Sequence, residues 1–172
     1  MKAKKLITYA CIALAVVGTS LVFTNCKKKS SSTTTETPTP TPVPLTNTQK
    51  LCDKNFKVTA ITVNPGLFDG NATITDVYAS SLYASCYKDN ISNFKTNGTY
   101  TEDEGTVVCS GNAQTTAGTW LWNTNETILT VTTGTDVSSM TIITNDGTTL
   151  KGTETTNISG TNYVFTYTYV KQ

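Results

Sequence analysis

The chain contains no histidine and no arginine. Without histidine it cannot form a Ser-His-Asp or Cys-His catalytic arrangement or a histidine-ligated metal site. The sequence also lacks the glycine-rich loops that bind phosphate groups in nucleotide-dependent enzymes. We therefore expect a protein that is not an enzyme and that uses no metal or cofactor.

The distribution of charge argues against a nucleic-acid partner. From Thr46 to the C-terminus there are seven lysines against eleven acidic residues, a net charge of about −4. Binding to nucleic acid requires a basic patch, usually with clustered arginine and lysine. The sequence therefore predicts no nucleic-acid partner.

Acidic residues do cluster at Glu102, Asp103 and Glu104. Paired carboxylates can hydrolyse glycosides, and oxygen ligands of this kind can hold calcium weakly. These three residues are consecutive and lie at a predicted hairpin loop, without the regular spacing of a calcium-binding loop. We expect a solvated loop tip, with hydrolysis and calcium binding as the alternatives.

The N-terminal 25 residues have the order of a secretory signal peptide. Three lysines are followed by an apolar stretch from Leu6 to Phe23. Threonine and serine interrupt this stretch, whereas a membrane span needs roughly 20 apolar residues. The alternatives are a transmembrane anchor or a leader that is cut elsewhere.

Cys26 follows this leader and precedes three lysines, Lys27–Lys29. The arrangement resembles the lipobox of bacterial lipoproteins, in which the cysteine is acylated and becomes the new N-terminus. This resemblance implies a membrane partner: the protein is lipid-anchored through Cys26 in the bacterial cell envelope, and we expect the outer membrane. The lysines would assist attachment to anionic head groups.

Residues 26–45 are rich in serine, threonine and proline. Alternating Thr-Pro favours extended polyproline II and cannot enter a helix or a central strand. We therefore predict a lipidated cysteine with a tether over residues 26–45, followed by a single domain over residues 46–172. That length is enough to bury one core.

The composition of the domain predicts an all-β fold. Threonine makes up more than a fifth of the chain, and several runs alternate with a period of two residues. The predicted strands are Phe56–Val63, Ile91–Thr96, Thr99–Glu102, Gly118–Asn123, Thr127–Thr132, Ser138–Thr144, Thr148–Thr156 and Asn162–Val170.

Short turns with strong chemistry separate these strands. Asn97-Gly98 and Asp146-Gly147 tolerate the positive φ angles of tight hairpins. Short loops predict sequential antiparallel pairing, and about eight such strands would close into an up-and-down barrel without exposed edges. One short helical turn is predicted over Thr48–Asp53.

A series of motifs then points to a family. In order along the chain stand Cys86, Asn97-Gly98-Thr99-Tyr100, Cys109 and Gly118-Thr119-Trp120. This series resembles the lipocalin-like domains of bacterial lipoproteins, over roughly residues 54–172. The resemblance implies an up-and-down β-barrel and says little about chemistry, because fold alone does not determine function.

The same resemblance implies a disulfide between Cys86 and Cys109. An envelope compartment permits such bonds. Cys52 is then left over as a buried thiol, a contact between two copies, or the true partner of one of the other two cysteines.

Two functions follow from these expectations. In the first, the barrel binds a small hydrophobic ligand or lipid in a cavity that aromatic residues line. In the second, those aromatic residues fill the barrel, and the protein presents a rigid structure to another envelope protein. The candidate lining residues of the cavity are Trp120, Trp122, Tyr163, Phe165, Tyr167 and Tyr169.

Overall fold

A computed structural model describes residues 43–172. The predicted leader, Cys26 and the tether as far as residue 42 lie outside the described residues. The elements are α1 (Asn47–Leu51), β1 (Asn55–Phe68), β2 (Thr73–Asp76), a 3-10 turn (Ser85–Tyr87), β3 (Ile91–Phe94), β4 (Thr99–Asp103), β5 (Thr115–Trp122), β6 (Ile128–Thr133), β7 (Asp136–Asn145), β8 (Thr149–Ile158) and β9 (Thr161–Lys171). Between residues 43 and 172 there is no helix of sufficient length and apolarity to cross a membrane.

Eight of the strands close into an antiparallel barrel. Their order is β1-β3-β4-β5-β6-β7-β8-β9, and β9 returns to pair with β1 from Phe56↔Lys171 to Asn64↔Val164. The predicted meander closing into an eight-stranded barrel is therefore confirmed, and the architecture is consistent with a lipocalin-like fold. The ninth strand, β2, pairs only with the far part of β1.

Each of the eight predicted strands corresponds to one strand of the barrel, with bounds that differ by a few residues. The predicted turns are also confirmed, because Gly98 and Gly147 have φ angles of 83° and 93°. The short helix is present as α1 and begins with a capping box between Thr46 and Gln49. β2 was not predicted, because it is short and mostly exposed and so lacks an alternating apolar pattern.

A bulge in β1 keeps its apolar residues inside the barrel. The pairing with β9 shifts between Val58 and Ala60, so that Thr59 is an extra residue. Without this insertion, a period of two would place Ile61 and Val63 on the face opposite to Val58. Ile61 and Val63 are instead buried.

One part of the barrel is filled by a cluster that we call the aromatic core. Its rings meet edge to face: the centroids of Phe94 and Trp120 are 5.9 Å apart at 85°, and those of Trp120 and Trp122 are 6.2 Å apart at 86°. The indole Nε1 of Trp120 donates to the carbonyl of Lys95 at 2.9 Å. The buried members of the aromatic core are Leu51, Cys52, Phe56, Phe94, Tyr100, Trp120, Leu129 and Leu150.

Candidate functional site

The barrel has a gap between β1 and β3. These strands pair only over Asn55–Lys57, and β2 joins the same side of β1 from Thr62 onward. Residues 58–61 of β1 therefore face residues 77–90, which contain no strand and only the 3-10 turn Ser85–Tyr87. We call residues 77–90 the cover segment. The backbone N–H groups of Val77 and Tyr78 both donate to the carbonyl of Ile61, at 2.8 and 3.2 Å.

A cavity of about 290 Å³ lies beside this gap. We call it the barrel cavity. Its apolar and aromatic wall consists of Val58, Ile61, Tyr83, Tyr87, Tyr167 and Tyr169. Its polar wall consists of Asn90, Ser92 and Glu102. The volume is that of about ten water molecules and approaches the lower limit of known ligand sites.

The pairing of β1 with β9 builds the aromatic wall. Directly opposed residues in an antiparallel pair share one face of the sheet. Val58 stands opposite Tyr169, and Ile61 stands opposite Tyr167. The bulge at Thr59 is what keeps both pairs on the same face.

Two residues of the polar wall belong to strands, Ser92 to β3 and Glu102 to β4, and Asn90 is the last residue of the cover segment. Ser92 stands opposite Phe56 on one side and opposite Glu102 on the other, so all three share a face. Phe56 is fully buried, which identifies this face as the interior of the barrel. The carboxylate of Glu102 is thus directed into the barrel, where the usual burial preferences of side chains predict apolar residues.

Two hydrogen bonds fix the carboxylate of Glu102. Its Oε2 accepts from the phenol of Tyr100 at 2.7 Å, and its Oε1 accepts from Nδ2 of Asn90 at 2.9 Å. Burial, and then the charge of Glu102, raise the pKa of Tyr100 well above the usual range of a phenol. Tyr100 therefore remains a donor to Glu102 at physiological pH.

Glu104 is buried beside this network, with 4 % of its surface exposed. Its carboxylate accepts from the backbone N–H of Cys109 at 3.0 Å, from Asn112 at 3.0 Å and from Asn90 at 3.3 Å. The bond from Cys109, followed by those from the two amides, lowers the pKa of Glu104. The expectation of a solvated acidic tip is therefore wrong, because N–H donors from neighbouring loops satisfy this carboxylate inside the protein.

Asn90 carries an unsatisfied acceptor. Its amide nitrogen donates to both Glu102 and Glu104, whereas its Oδ1 is buried and has no partner among the described residues. The residue is 8 % exposed and belongs to the wall of the barrel cavity. Leaving a buried carbonyl oxygen without a donor costs roughly 1–3 kcal/mol.

The cover segment contributes two tyrosines to the wall. The rings of Tyr83 and Tyr87 have centroids 5.9 Å apart, and the phenol of Tyr83 donates to the carbonyl of Tyr87 at 3.1 Å. Tyr87 is also exposed to solvent, so this side of the cavity wall lies at the surface. The cover segment thus forms one side of the cavity wall.

Two links hold the cover segment to the β4–β5 loop. A disulfide joins Cys86 to Cys109, which confirms the predicted pair. Oδ2 of Asp89 accepts from the backbone N–H groups of Thr106 and Val107 at 2.7 and 3.0 Å. Among residues 43–172, Cys52 is the remaining cysteine, and it lies buried as a free thiol in the aromatic core.

Three of the cavity tyrosines, Tyr83, Tyr167 and Tyr169, are neutral at physiological pH. Burial, and then the charge of Glu154, raise the pKa of Tyr167 to about 12. Burial is also the largest cause of the raised pKa of Tyr83 and Tyr169, and the charge of Glu102 adds to both. Burial is thus the main reason that these three phenols keep their protons.

The predicted lining residues separate into three groups. Tyr167 and Tyr169 line the barrel cavity. Tyr163 and Phe165 pack against a second buried cluster around Ile61, Val63 and Val77. Trp120 and Trp122 form the third group, which belongs to the aromatic core and is not part of the wall of this cavity.

Sequence reasoning missed the rest of the wall. A signal existed for two residues: Glu102 lies two positions after Tyr100, and Ser92 lies two positions before Phe94, so each shares a face with an aromatic residue. Tyr83 and Tyr87 carried no such signal, because the cover segment follows no period.

In the described part of the chain, no group of three or more histidine, cysteine or acidic side chains is arranged to hold a metal ion. The amide nitrogen of Asn90 bridges the carboxylates of Glu102 and Glu104. No protein-family model matches the sequence, and no curated protein matches it.

Proposed function

We propose that this protein is a lipoprotein of the bacterial envelope, anchored through an acylated Cys26, and that its lipocalin-like barrel binds a small ligand. The barrel cavity carries the proposal. Ligand sites are concave, mostly apolar, and contain a few polar groups that orient the ligand. Four tyrosines and two aliphatic residues form such a wall here, and Asn90, Ser92 and Glu102 supply the polar groups.

The contrast with the rest of the interior supports a binding role. Protein cores are packed to the density of organic crystals, and the aromatic core follows this rule with rings in direct contact. A space of about 290 Å³ leaves the side chains that border it without packing partners on one side, which is costly in a small domain. A ligand that fills the space would offset this cost.

Native mass spectrometry tests the binding role. The full chain is purified gently from its own envelope and measured before and after denaturation. We expect a discrete extra mass that disappears on denaturation. The variant Val58→Phe, which fills the cavity, should lack this mass, and Thr62→Phe, which adds the same ring at an exposed position of β1, should retain it.

A protein that stays empty after incubation with a whole-cell extract would contradict the binding role. It would favour the alternative, in which the barrel is a rigid structure presented to another envelope protein. One observation supports that alternative: Leu121 of β5 and Ile143 of β7 are apolar and more than half exposed.

The anchor is tested separately, by intact mass and by fractionation. We expect the mature chain to begin at Cys26, to carry acyl groups and to sediment with membranes. Cys26→Ser should abolish acylation and release the protein, whereas Cys52→Ser should leave both unchanged. Acylation of the Cys26→Ser variant, or an unprocessed leader, would contradict the lipoprotein assignment.

A further inference from the structure

We propose that the ligand of the barrel cavity carries a positively charged nitrogen, as an organic ammonium ion with a small apolar or aromatic body. This inference rests on the proposed binding function and names the chemical class of its ligand. Two features of the cavity wall point to it: the aromatic rings, and a carboxylate that has no lysine partner among residues 43–172.

The first feature is the concentration of aromatic rings. Four of the nine residues in the wall are tyrosines. A ring attracts cations to its face through its quadrupole, most strongly when water is excluded. The rings of Tyr167 and Tyr169 are stacked at 6.4 Å on one side, and those of Tyr83 and Tyr87 approach at 5.9 Å on the other. Several rings around one space are the usual means of holding an ammonium group.

The second feature is the charge of Glu102. Both of its carboxylate oxygens accept hydrogen bonds from neutral groups. Lys95 forms an ion pair with Asp53, in which Nζ lies 3.8 Å from Oδ1. Among residues 43–172, no lysine nitrogen lies within 4.0 Å of the carboxylate of Glu102. The negative charge in the wall is therefore not neutralised by a neighbouring side chain.

The amide of Asn90 holds Glu102 in place. Its nitrogen donates to two carboxylates, Glu102 and Glu104. Its Oδ1 is buried away from the open space of the cavity, so a ligand in the cavity does not reach it. The contacts with an ammonium group therefore come from Glu102 and the tyrosine rings.

The other two classes of ligand fit less well. A neutral apolar ligand would remove water from Glu102 and supply no partner, and an unpaired buried carboxylate is costly. An anionic ligand such as a fatty acid would be repelled by the carboxylate of Glu102 in the wall. The polar wall thus selects against the hydrophobic or acidic lipids that a simple apolar cavity would accept.

The experiment compares three probes with one aromatic body. Isothermal titration calorimetry of the full chain at pH 7 measures the binding of 2-phenylethylammonium, 2-phenylethanol and 3-phenylpropionate. We expect the ammonium probe to bind at least about tenfold more tightly than the alcohol, and the carboxylate probe to bind most weakly.

A charge-removing variant locates the effect. Glu102→Gln should reduce the preference for the ammonium probe over the alcohol to less than about threefold, because it removes the charge and keeps the size of the side chain. Asp136→Asn is the matched control, since it removes the same charge from an exposed position of β7 and should keep the full preference. Melting temperatures verify that both variants are folded.

Equal binding of the three probes, or the same preference in Glu102→Gln, would overturn the inference and leave the binding function intact. Failure of all three probes would also overturn it, and native mass spectrometry would then decide on the binding function separately. Lipid head groups contain the same ammonium chemistry, so a second arm tests Cys26→Ser protein for sedimentation with phosphatidylethanolamine vesicles. Displacement of the ammonium probe by these vesicles would identify a lipid head group as the source of the ammonium ligand. If the vesicles do not displace the probe, the ligand is a free amine.

Discussion

The aromatic core and the barrel cavity are built from the same kind of residue with different results. In the aromatic core, Trp120 meets Phe94 and Trp122 edge to face, and the space is filled. On the side of β9, Tyr167 and Tyr169 stand opposite the smaller Val58 and Ile61, and a cavity remains. An aromatic residue that points into the barrel therefore fills the interior where its cross-strand neighbours are large, and borders a cavity where they are small.

The largest expected effect compares truncations in the two regions. Phe56→Ala should lower the free energy of unfolding by about 3–5 kcal/mol, because Phe56 is fully buried among the rings of the aromatic core. Tyr167→Ala should cost less than half as much, because Tyr167 already borders empty space. Urea unfolding measures both values. Equal losses would contradict the distinction between a filled and an open region.

The second comparison concerns the disulfide, which belongs to the cavity side. Cys86 and Cys109 are 23 positions apart, and a constraint of that length contributes roughly 3 kcal/mol. The double variant Cys86→Ser/Cys109→Ser should lose about this much stability and should exchange amide hydrogens faster in residues 77–90. Tryptophan emission should stay native, since both tryptophans belong to the aromatic core. An unchanged melting temperature would refute this role.

A third comparison adds volume instead of removing it. Leu129→Phe should destabilise the protein by about 1–3 kcal/mol, since Leu129 is buried in a filled core. Val58→Leu should change stability by less than about 0.5 kcal/mol, because the added carbon enters the cavity. Thermal unfolding measures the pair. A larger loss for Val58→Leu than for Leu129→Phe would mean that the cavity is closed in solution.

The smallest effect is one of pH. The folded-state pKa of Glu104 lies below its ordinary value of 4.5, so the unfolded chain binds its proton more readily. The stabilisation that the ionised carboxylate of Glu104 provides is fully present above pH 5, and it is lost as the pH falls through the folded-state pKa of Glu104. Glu104→Gln should be less stable at pH 7 and should show a flatter loss of melting temperature between pH 5 and 3. Asp136→Asn, at an exposed site, should follow the parent protein, and a parallel curve for Glu104→Gln would argue against this linkage.

Much of the fold was accessible from local patterns. The run Tyr163, Phe165, Tyr167 and Tyr169 predicted a strand with one aromatic face, and the turns at Gly98 and Gly147 predicted the hairpins. The site was less accessible. The acidic run was expected to be solvated, because charged residues beside a turn are usually exposed, yet Glu104 is buried by contacts with Asn90, Cys109 and Asn112.

The sequence by itself determined the period of the strands, their antiparallel order and the chemistry of the turns, since these depend on residues close together along the chain. Tertiary structure alone decided which aromatic residues fill the barrel and which border a cavity. Tyr83 and Tyr87 reach the wall because the cover segment crosses the gap between β1 and β3. That crossing depends on contacts between residues far apart in sequence, which no local pattern records.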